Sequence, residues 1–230
     1  MKKLLFLFGG LIISSCVIAQ DAENLVENGS FETIKGKLRK AGQIDVATGW
    51  TSASGIKADL YSNETKEPKI QVPKNYMGTE HAKEGSSYAG IVAYSHNNKK
   101  PRSYISTKLK SKMKKGLRYC VKFYVNLAER SKYSSNNIAA NFSKRGLATE
   151  LKTSIAAESS VMRFDNKSLT GMYGWDEVCG IYEAKGGEQY MTIGNFSSND
   201  QTDSEKMKMP KGLRGTQDIS AYYYLDEFSV

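Results

Sequence analysis

The sequence predicts an all-β fold, an antiparallel β-sandwich of jelly-roll type. Short runs in which apolar and polar residues alternate recur along the chain, and this period of two is typical of half-buried strands. Clusters of Gly, Asn and Ser separate the runs, as expected for turns between antiparallel strands. No stretch longer than about ten residues keeps a helical period. Together these observations predict about eight or nine strands in two packed sheets.

The clearest predicted strand covers residues 117–128. One face of it is apolar and the other polar, so we expect one side to cover the core and the other to meet water. The apolar face consists of Val121, Phe123, Val125 and Leu127, and the polar face of Lys122, Tyr124 and Asn126.

The same alternation predicts further strands at residues 87–94, 104–109, 138–143, 175–183, 190–196 and 222–230. Residues 25–32 open the domain. Two stretches, 144–172 and 197–220, lack a strand pattern and are predicted to be long loops. Long loops at the rim of a rigid sandwich commonly carry function.

The N-terminus has the order of a secretory signal peptide. Lys2 and Lys3 precede an apolar run over residues 4–13, and small residues follow. The run is shorter than the roughly 20 residues that a membrane-spanning helix needs. We therefore assign residues 1–19 to a signal peptide and residues 20–230 to one exported domain without a transmembrane segment. The expected location is the periplasm, the cell surface or the extracellular space.

Two cleavage sites fit the signal peptide. Residues 17–19 suit ordinary signal peptidase, which would cut after Ala19, whereas residues 13–16 resemble a lipobox in which Cys16 would be acylated. The first domain motif begins at Asn24, so an anchor at Cys16 would hold the sandwich close against a membrane. This spacing favours release after Ala19, although lipidation stays open.

The mature chain is basic, and its lysines are scattered. Removal of residues 1–19 takes away two lysines and leaves 31 basic against 24 acidic residues, a net charge of about +7. Because the lysines are spread over several loops, a solvated surface is favoured over a nucleic-acid site. Cys120 and Cys179 remain, and an oxidising compartment would permit a disulfide, but their pairing stays open.

Motifs of catalysis are missing from the sequence. It contains no G-x-S-x-G, H-E-x-x-H, C-x-x-C or P-loop motif, and only His81 and His96 supply imidazole. Asp176 and Glu177 form a conspicuous acidic pair, but neighbours in a strand point to opposite faces. A glycosidase needs two carboxylates that flank one bond. We therefore expect a protein that is not an enzyme.

Five motifs in order carry a family resemblance. They are "NLVENGSFE" at 24–32 followed by Gly49-Trp50, "EGSSYAGI" at 84–91, "GLRYCVKFYV" at 116–125, W-x-x-V-x-G-x-Y at 175–182 and "YYYLDEFSV" at 222–230. In this order the chain resembles carbohydrate-binding modules with a galactose-binding-like jelly roll, of the kind found at the N-terminus of some bacterial OmpA-family surface proteins.

The resemblance implies a non-catalytic module that binds a glycan or polysaccharide at the cell envelope. It also implies a structural calcium ion between the N-terminal and C-terminal strands. The matching positions are Glu32 and Asp226, which supply the oxygen ligands that a hard cation needs. Alternatively, both are ordinary carboxylates at strand ends.

Aromatic rings stack on the flat faces of sugars, and amide and guanidinium groups bind sugar hydroxyls. Residues of these types on the polar face of strand 117–128, on neighbouring strands and at the rim are the candidate ligand contacts. They are Tyr124, Asn126, Asn141, Asn195, Arg102 and Tyr104. A structural module that packs against an envelope protein is the alternative function, which the basic loops at 99–102 and 206–211 motivate.

Overall fold

The computed structural model describes residues 23–150 and 154–230. The predicted signal peptide, residues 1–19, and both of its cleavage sites lie outside these residues, so that export stays a prediction. Within the described residues no helix is long and apolar enough to cross a membrane.

Strands dominate the described residues, with four short 3-10 helices and no α-helix among them. The strands are β1 Trp50–Ser52, β2 Asp59–Ser62, β3 Lys74–Asn75, β4 Gly78–Thr79, β5 Ser87–Ser95, β6 Ile105–Lys108, β7 Arg118–Leu127, β8 Tyr133–Ser135, β9 Ile138–Ser143, β10 Val161–Met162, β11 Asp176–Glu183, β12 Tyr190–Asn195, β13 Ser204–Lys206 and β14 Ser220–Ser229. The 3-10 helices are Ile44–Val46, Pro68–Ile70, His96–Asn98 and Asn199–Gln201.

Two antiparallel sheets of five strands form the sandwich. Sheet I has the order β1-β6-β12-β9-β10, and sheet II has the order β11-β7-β14-β5-β2. Two further pairs of short strands, β13-β8 and the hairpin β3-β4, lie beside them. This architecture confirms the predicted all-β sandwich of jelly-roll type, and each predicted strand is present within two residues of its expected ends.

The core lies between the sheets and begins on the apolar face of β7. Phe123 of that face stacks on Phe228, with the ring centroids 5.2 Å apart. Phe31 and Trp50 complete this group of rings, and both are 1% exposed or less. The indole of Trp50 donates a hydrogen bond to the carbonyl of Asn28 at 2.8 Å. Because burying one such ring stabilises the fold by about 2–3 kcal/mol, the opening "NGSF" motif anchors the N-terminal segment to the core.

The outer face of sheet II is largely covered. Residues 63–82, here called the covering segment, place Ile70 and Met77 against tyrosines of β2, β5 and β14. These tyrosines are 4% exposed or less. They are Tyr61, Tyr88, Tyr222 and Tyr224. The tyrosine-rich face is therefore a second hydrophobic core.

Strand β7 runs from one end of the sandwich to the other. Its first residues lie near both described chain ends, where the Leu25 amide donates to the Val230 carbonyl at 2.9 Å. At its other end, the Leu127 amide donates to the Gly171 carbonyl at 2.8 Å. Ten residues at about 3.3 Å each separate these ends by roughly 30 Å. We call them the terminal end and the loop end.

Cys120 and Cys179 are both exposed and unbridged. Cys120 on β7 lies opposite Ile181, whereas Cys179 on β11 lies opposite Lys122. The two cysteines are therefore diagonal neighbours, whose Cα atoms are typically about 7–8 Å apart. That separation exceeds the usual disulfide range, and both cysteines are free thiols in this structure.

Candidate functional site

The structure divides the predicted ligand residues between the two sheets. Tyr124 and Asn126 lie on β7 of sheet II, whereas Asn141 and Asn195 lie on β9 and β12 of sheet I. The expectation that Asn141 and Asn195 lie on strands next to β7 is wrong, because β9 and β12 pair with each other in the other sheet.

Arg102, Tyr104 and Asn195 form a buried network. Arg102 is 2% exposed and Tyr104 is fully buried. Both donate to the carbonyl of Asn195, at 2.8 and 2.6 Å, and Arg102 also donates to the carbonyl of Ser197 at 2.6 Å. Burial lowers the pKa of the Arg102 guanidinium. The network holds the chain as it leaves β12. The prediction that Arg102 and Tyr104 lie at an open rim is therefore wrong, because both side chains are buried.

Asn141 and Asn126 are also engaged internally. Asn141 is 5% exposed and donates to the carbonyl of Glu158 at 2.9 Å. Asn126 is 1% exposed, because Glu80 and the turn at Gly174 lie over it. Its amide donates to Glu80 Oε2 at 2.8 Å and to the Gly174 carbonyl at 2.6 Å. The polar face of β7 is therefore only partly exposed to solvent.

Tyr124 is half-exposed and lies on the uncovered part of sheet II. Its hydroxyl donates to Glu177 Oε2 at 2.9 Å, and this hydrogen bond raises the pKa of the phenol. The ammonium of Lys83 lies 4.6 Å from the centroid of the ring. Among the predicted ligand contacts, Tyr124 is the one with an open side chain.

Glu32 and Asp226 clamp one loop, residues 83–87. Asp226 Oδ2 accepts the amides of Lys83 and Glu84, at 2.8 and 3.2 Å. Glu32 Oε1 accepts the amides of Ser86 and Ser87, at 3.0 and 2.8 Å. The two acids thus bind the backbone of a single loop.

Burial raises the pKa of Asp226 to about 8, and the nearby negative charge of Glu32 adds to the shift. A cation would offset that electrostatic cost, and the two carboxylates are oxygen donors of the type that calcium prefers. No group of three or more His, Cys, Asp or Glu side chains suited to a metal occurs in the described part of the chain. Backbone carbonyls would therefore have to complete a calcium site here.

A polar cleft at the loop end is the site that sequence reasoning missed. It has a volume of about 730 Å³, and it lies between the loop that follows β10 and the strand β13. Four of its lining residues are acidic and two are basic. The lining residues are Arg163, Asp165, Asn166, Lys167, Ser168, Thr170, Gly171, Asp176, Asp203 and Glu205.

Several cleft residues are held by internal contacts. The Arg163 guanidinium forms an ion pair with Asp165 at 3.0 Å. The Asn166 amide donates to Asn137 Oδ1 at 2.8 Å. Asp203 Oδ2 accepts the Asn136 amide at 3.1 Å. These contacts fix the walls of the cleft in place before any ligand enters.

Two aromatic side chains stand out from the loops that line the cleft. Phe164, between Arg163 and Asp165, is 92% exposed, and Tyr173 is 73% exposed. Both side chains are far more exposed than the tyrosines of the second hydrophobic core. Exposing apolar rings of this size to water is energetically unfavourable. Exposed rings beside carboxylate, amide and hydroxyl groups are the combination that sugars bind.

Hydrogen bonds to the covering segment hold the loop that carries Tyr173. Glu80 Oε2 accepts the Gly174 amide at 3.1 Å, and the Trp175 indole donates to the His81 carbonyl at 3.0 Å. Burial raises the pKa of Glu80. Together with the bond from Asn126 to Gly174, these contacts make Asn126 and Glu80 positioning residues for the rim of the cleft.

Two predicted long loops, residues 144–172 and 197–220, are the sequence signals for this site. Residues 163–171 of the first loop line one side of the cleft. Asp203 and Glu205, however, come from a distant segment that reaches the cleft because β13 pairs with β8. No local pattern predicts that pairing.

No protein-family model and no curated protein matches this chain. Among solved structures, it is similar to the K2 cleaved adhesin domain of Lys-gingipain, with 14% identity, a TM-score of 0.42, and coverage of 90% of this chain and 98% of that one. The CBM22-1 xylan-binding domain of Xyn10C from Paenibacillus barcinonensis has 15% identity and a TM-score of 0.42, with 87% and 89% covered. The K1 adhesin domain of Lys-gingipain from Porphyromonas gingivalis W83 has 13% identity and a TM-score of 0.40, with 90% and 96% covered.

Proposed function

We propose that this protein is an exported, non-catalytic module that binds a glycan in the polar cleft at the loop end. One observation carries the proposal, namely two highly exposed rings, Phe164 and Tyr173, on the loops that line a cleft of carboxylates, amides and hydroxyls. A ring that stacks on a sugar face gains from apolar burial. The polar lining can exchange hydrogen bonds with the sugar hydroxyls, each worth about 0.5–1.5 kcal/mol net.

The proposal is tested by titrating the domain, residues 20–230, with a panel of soluble polysaccharides in a calorimeter and by affinity gel electrophoresis. Tyr173→Ala and Phe164→Ala should each weaken binding about tenfold, because each removes one stacking surface. Leu117→Ala is the matched control, since Leu117 is also a large exposed apolar residue, 51% exposed, at the terminal end.

Tyr124→Ala separates the cleft from the surface of sheet II that the sequence favoured. Unchanged binding in this variant together with loss in Tyr173→Ala supports the cleft. Loss of polysaccharide binding in Tyr124→Ala alone would place the binding site on sheet II. If the folded domain binds no polysaccharide in the panel, the glycan proposal fails.

The absence of catalysis is a separate part of the proposal. Asp165 is paired with Arg163, and Asp203 is bound by Asn136. Asp176 and Glu205 are the remaining carboxylates of the cleft. Because we propose binding without catalysis, any oligosaccharide that binds should be recovered intact after long incubation. Shorter products that disappear in Asp176→Asn or Glu205→Gln would instead reveal a glycosidase.

The predicted calcium ion, the OmpA-family association and an envelope protein partner stay predictions. A stoichiometric protein captured from native envelope extract, with no polysaccharide bound by the purified domain, would favour the structural module over the glycan-binding one.

A further inference from the structure

A basic loop follows β13 at the loop end of the sandwich. Residues 206–214 read Lys-Met-Lys-Met-Pro-Lys-Gly-Leu-Arg and contain four basic residues and no acid. All four basic side chains belong to exposed residues. They are Lys206, Lys208, Lys211 and Arg214.

The fold fixes this loop against the turn that follows β7. The Met207 amide donates to the Lys132 carbonyl at 2.9 Å. The Arg130 guanidinium donates to the carbonyl of Arg214 at 2.8 Å. The second contact holds the Arg130 guanidinium against the loop, and the first brings the backbone of Lys132 beside it, so that six basic residues lie in this region.

These cations lack carboxylate partners among residues 23–150 and 154–230. None of the six lies within 4.0 Å of a carboxylate oxygen, whereas five other lysine or arginine side chains do. The nearby acid Asp218 is already paired with Lys100. The six cations therefore form no direct ion pair within the described residues, and Glu205 and Glu129 are their only acidic chain neighbours.

Apolar side chains alternate with the cations. Met207 packs against the main core and anchors the loop. Met209 and Leu213 are partly exposed, and neither belongs to a hydrophobic cluster of the described residues. A soluble polyanion would need only the cations, whereas partly exposed Met and Leu between lysines suit the boundary between headgroups and acyl chains.

We propose that residues 206–214, with Arg130 and Lys132, form a docking surface for an anionic lipid bilayer. The cations bind the lipid phosphates, and Met209 and Leu213 enter the interfacial region. This inference is independent of glycan binding in the cleft.

The experiment is co-sedimentation of the domain, residues 20–230, with two kinds of vesicle. One contains phosphatidylglycerol and phosphatidylcholine in equal parts, and the other contains phosphatidylcholine alone. Binding to the anionic vesicles alone, weakened by added salt, is expected. Lys206→Gln, Lys208→Gln and Lys211→Gln combined should weaken it by on the order of a hundredfold, because each lysine near the surface contributes about fivefold.

The matched control is Lys112→Gln, Lys114→Gln and Lys115→Gln combined. These exposed lysines precede β7 and lie at the terminal end, so that the control loses the same charge at the opposite end of the same strand. It should bind anionic vesicles almost as the unaltered protein does. Met209→Ser with Leu213→Ser should weaken binding by about fivefold or more at unchanged charge.

Equal loss of vesicle binding in both triple variants would overturn the proposal, because the protein would then be attracted to the vesicles by its net charge alone. Binding to soluble polygalacturonate without binding to vesicles would overturn it in favour of an anionic polysaccharide. Tyr173→Ala should leave vesicle binding intact, so failure of the membrane surface and failure of the glycan cleft are distinguishable.

Discussion

At the scale of single residues, buried polar groups secure the covering segment. Asp59 is 7% exposed and accepts hydrogen bonds from the hydroxyls of Tyr76 and Tyr222 and from the Gly42 amide. Tyr222 in turn shares a hydrogen bond of 2.8 Å with Tyr61. One buried carboxylate thus connects the covering segment, sheet II and the loop around Gly42.

Tyr222→Phe tests this network. The change removes one donor to a buried carboxylate, and such a charge-assisted bond is worth about 1.5–3 kcal/mol. We expect the free energy of unfolding, measured by urea denaturation, to fall by that amount. Tyr173→Phe, which removes an exposed hydroxyl, should change it by less than about 0.5 kcal/mol. Equal effects in the two variants would contradict a special role for Asp59.

A glycine makes the close packing over sheet II possible. A Cβ atom at Gly90 on β5 would lie 2.1 Å from Tyr222 Oη and 2.7 Å from a ring carbon of Tyr61. Both tyrosines are buried, so neither ring can move away freely.

Gly90→Ala should therefore destabilise the protein by about 1–3 kcal/mol through overpacking. The matched control is Gly180→Ala on the edge strand β11, where the added Cβ would meet only a methyl group of Val161 at 3.0 Å. The control should lose clearly less stability in the same urea titration. A Gly90→Ala protein as stable as the control would show that the covering segment packs loosely.

At the scale of elements, the sequence was informative wherever one local pattern decides the structure. The alternation in residues 117–128 predicted β7 because each apolar side chain faces the core directly. The burial of Asn126 could not be predicted in this way, since it depends on a turn 48 positions away in the sequence. The same holds for the covering segment, whose contacts with four tyrosines arise only in the folded molecule.

The loop at residues 83–87 is the element where a cation would act. Glu32 and Asp226 reach it from the two ends of the chain, and the pKa of Asp226 is raised to about 8 by burial. A calcium ion that binds only the folded state would stabilise that state. Excess chelator should then lower the melting temperature, and added calcium should restore it.

Asp226→Asn provides the control for chelation. The substitution removes the charge that a cation would neutralise. The melting temperature of this variant should therefore respond neither to chelator nor to calcium. If the unaltered protein also melts at the same temperature with and without chelator, Glu32 and Asp226 act only as acceptors for the loop amides.

At the scale of the whole molecule, the sandwich separates the ends of the described chain from the two proposed binding surfaces. The pairing of Leu25 with Val230 lies at the terminal end, whereas the cleft and the basic loop lie at the loop end. Both cysteines lie in the half of sheet II nearer the terminal end, because Cys120 is the third residue of β7 and Cys179 pairs with Lys122. The two thiols therefore lie far from both proposed binding surfaces.

This separation predicts a difference between two labelling positions. A bulky maleimide on the exposed native thiols of Cys120 and Cys179 should leave both polysaccharide and vesicle binding unchanged. The same label on Lys208→Cys, in a protein that also carries Cys120→Ser and Cys179→Ser, should abolish vesicle binding, because it lies between the loop and the bilayer. Unlabelled Lys208→Cys protein controls for the lost charge. Loss of both activities on labelling the native thiols would mean that ligands approach across sheet II, and the loop end would no longer be the binding end of the molecule.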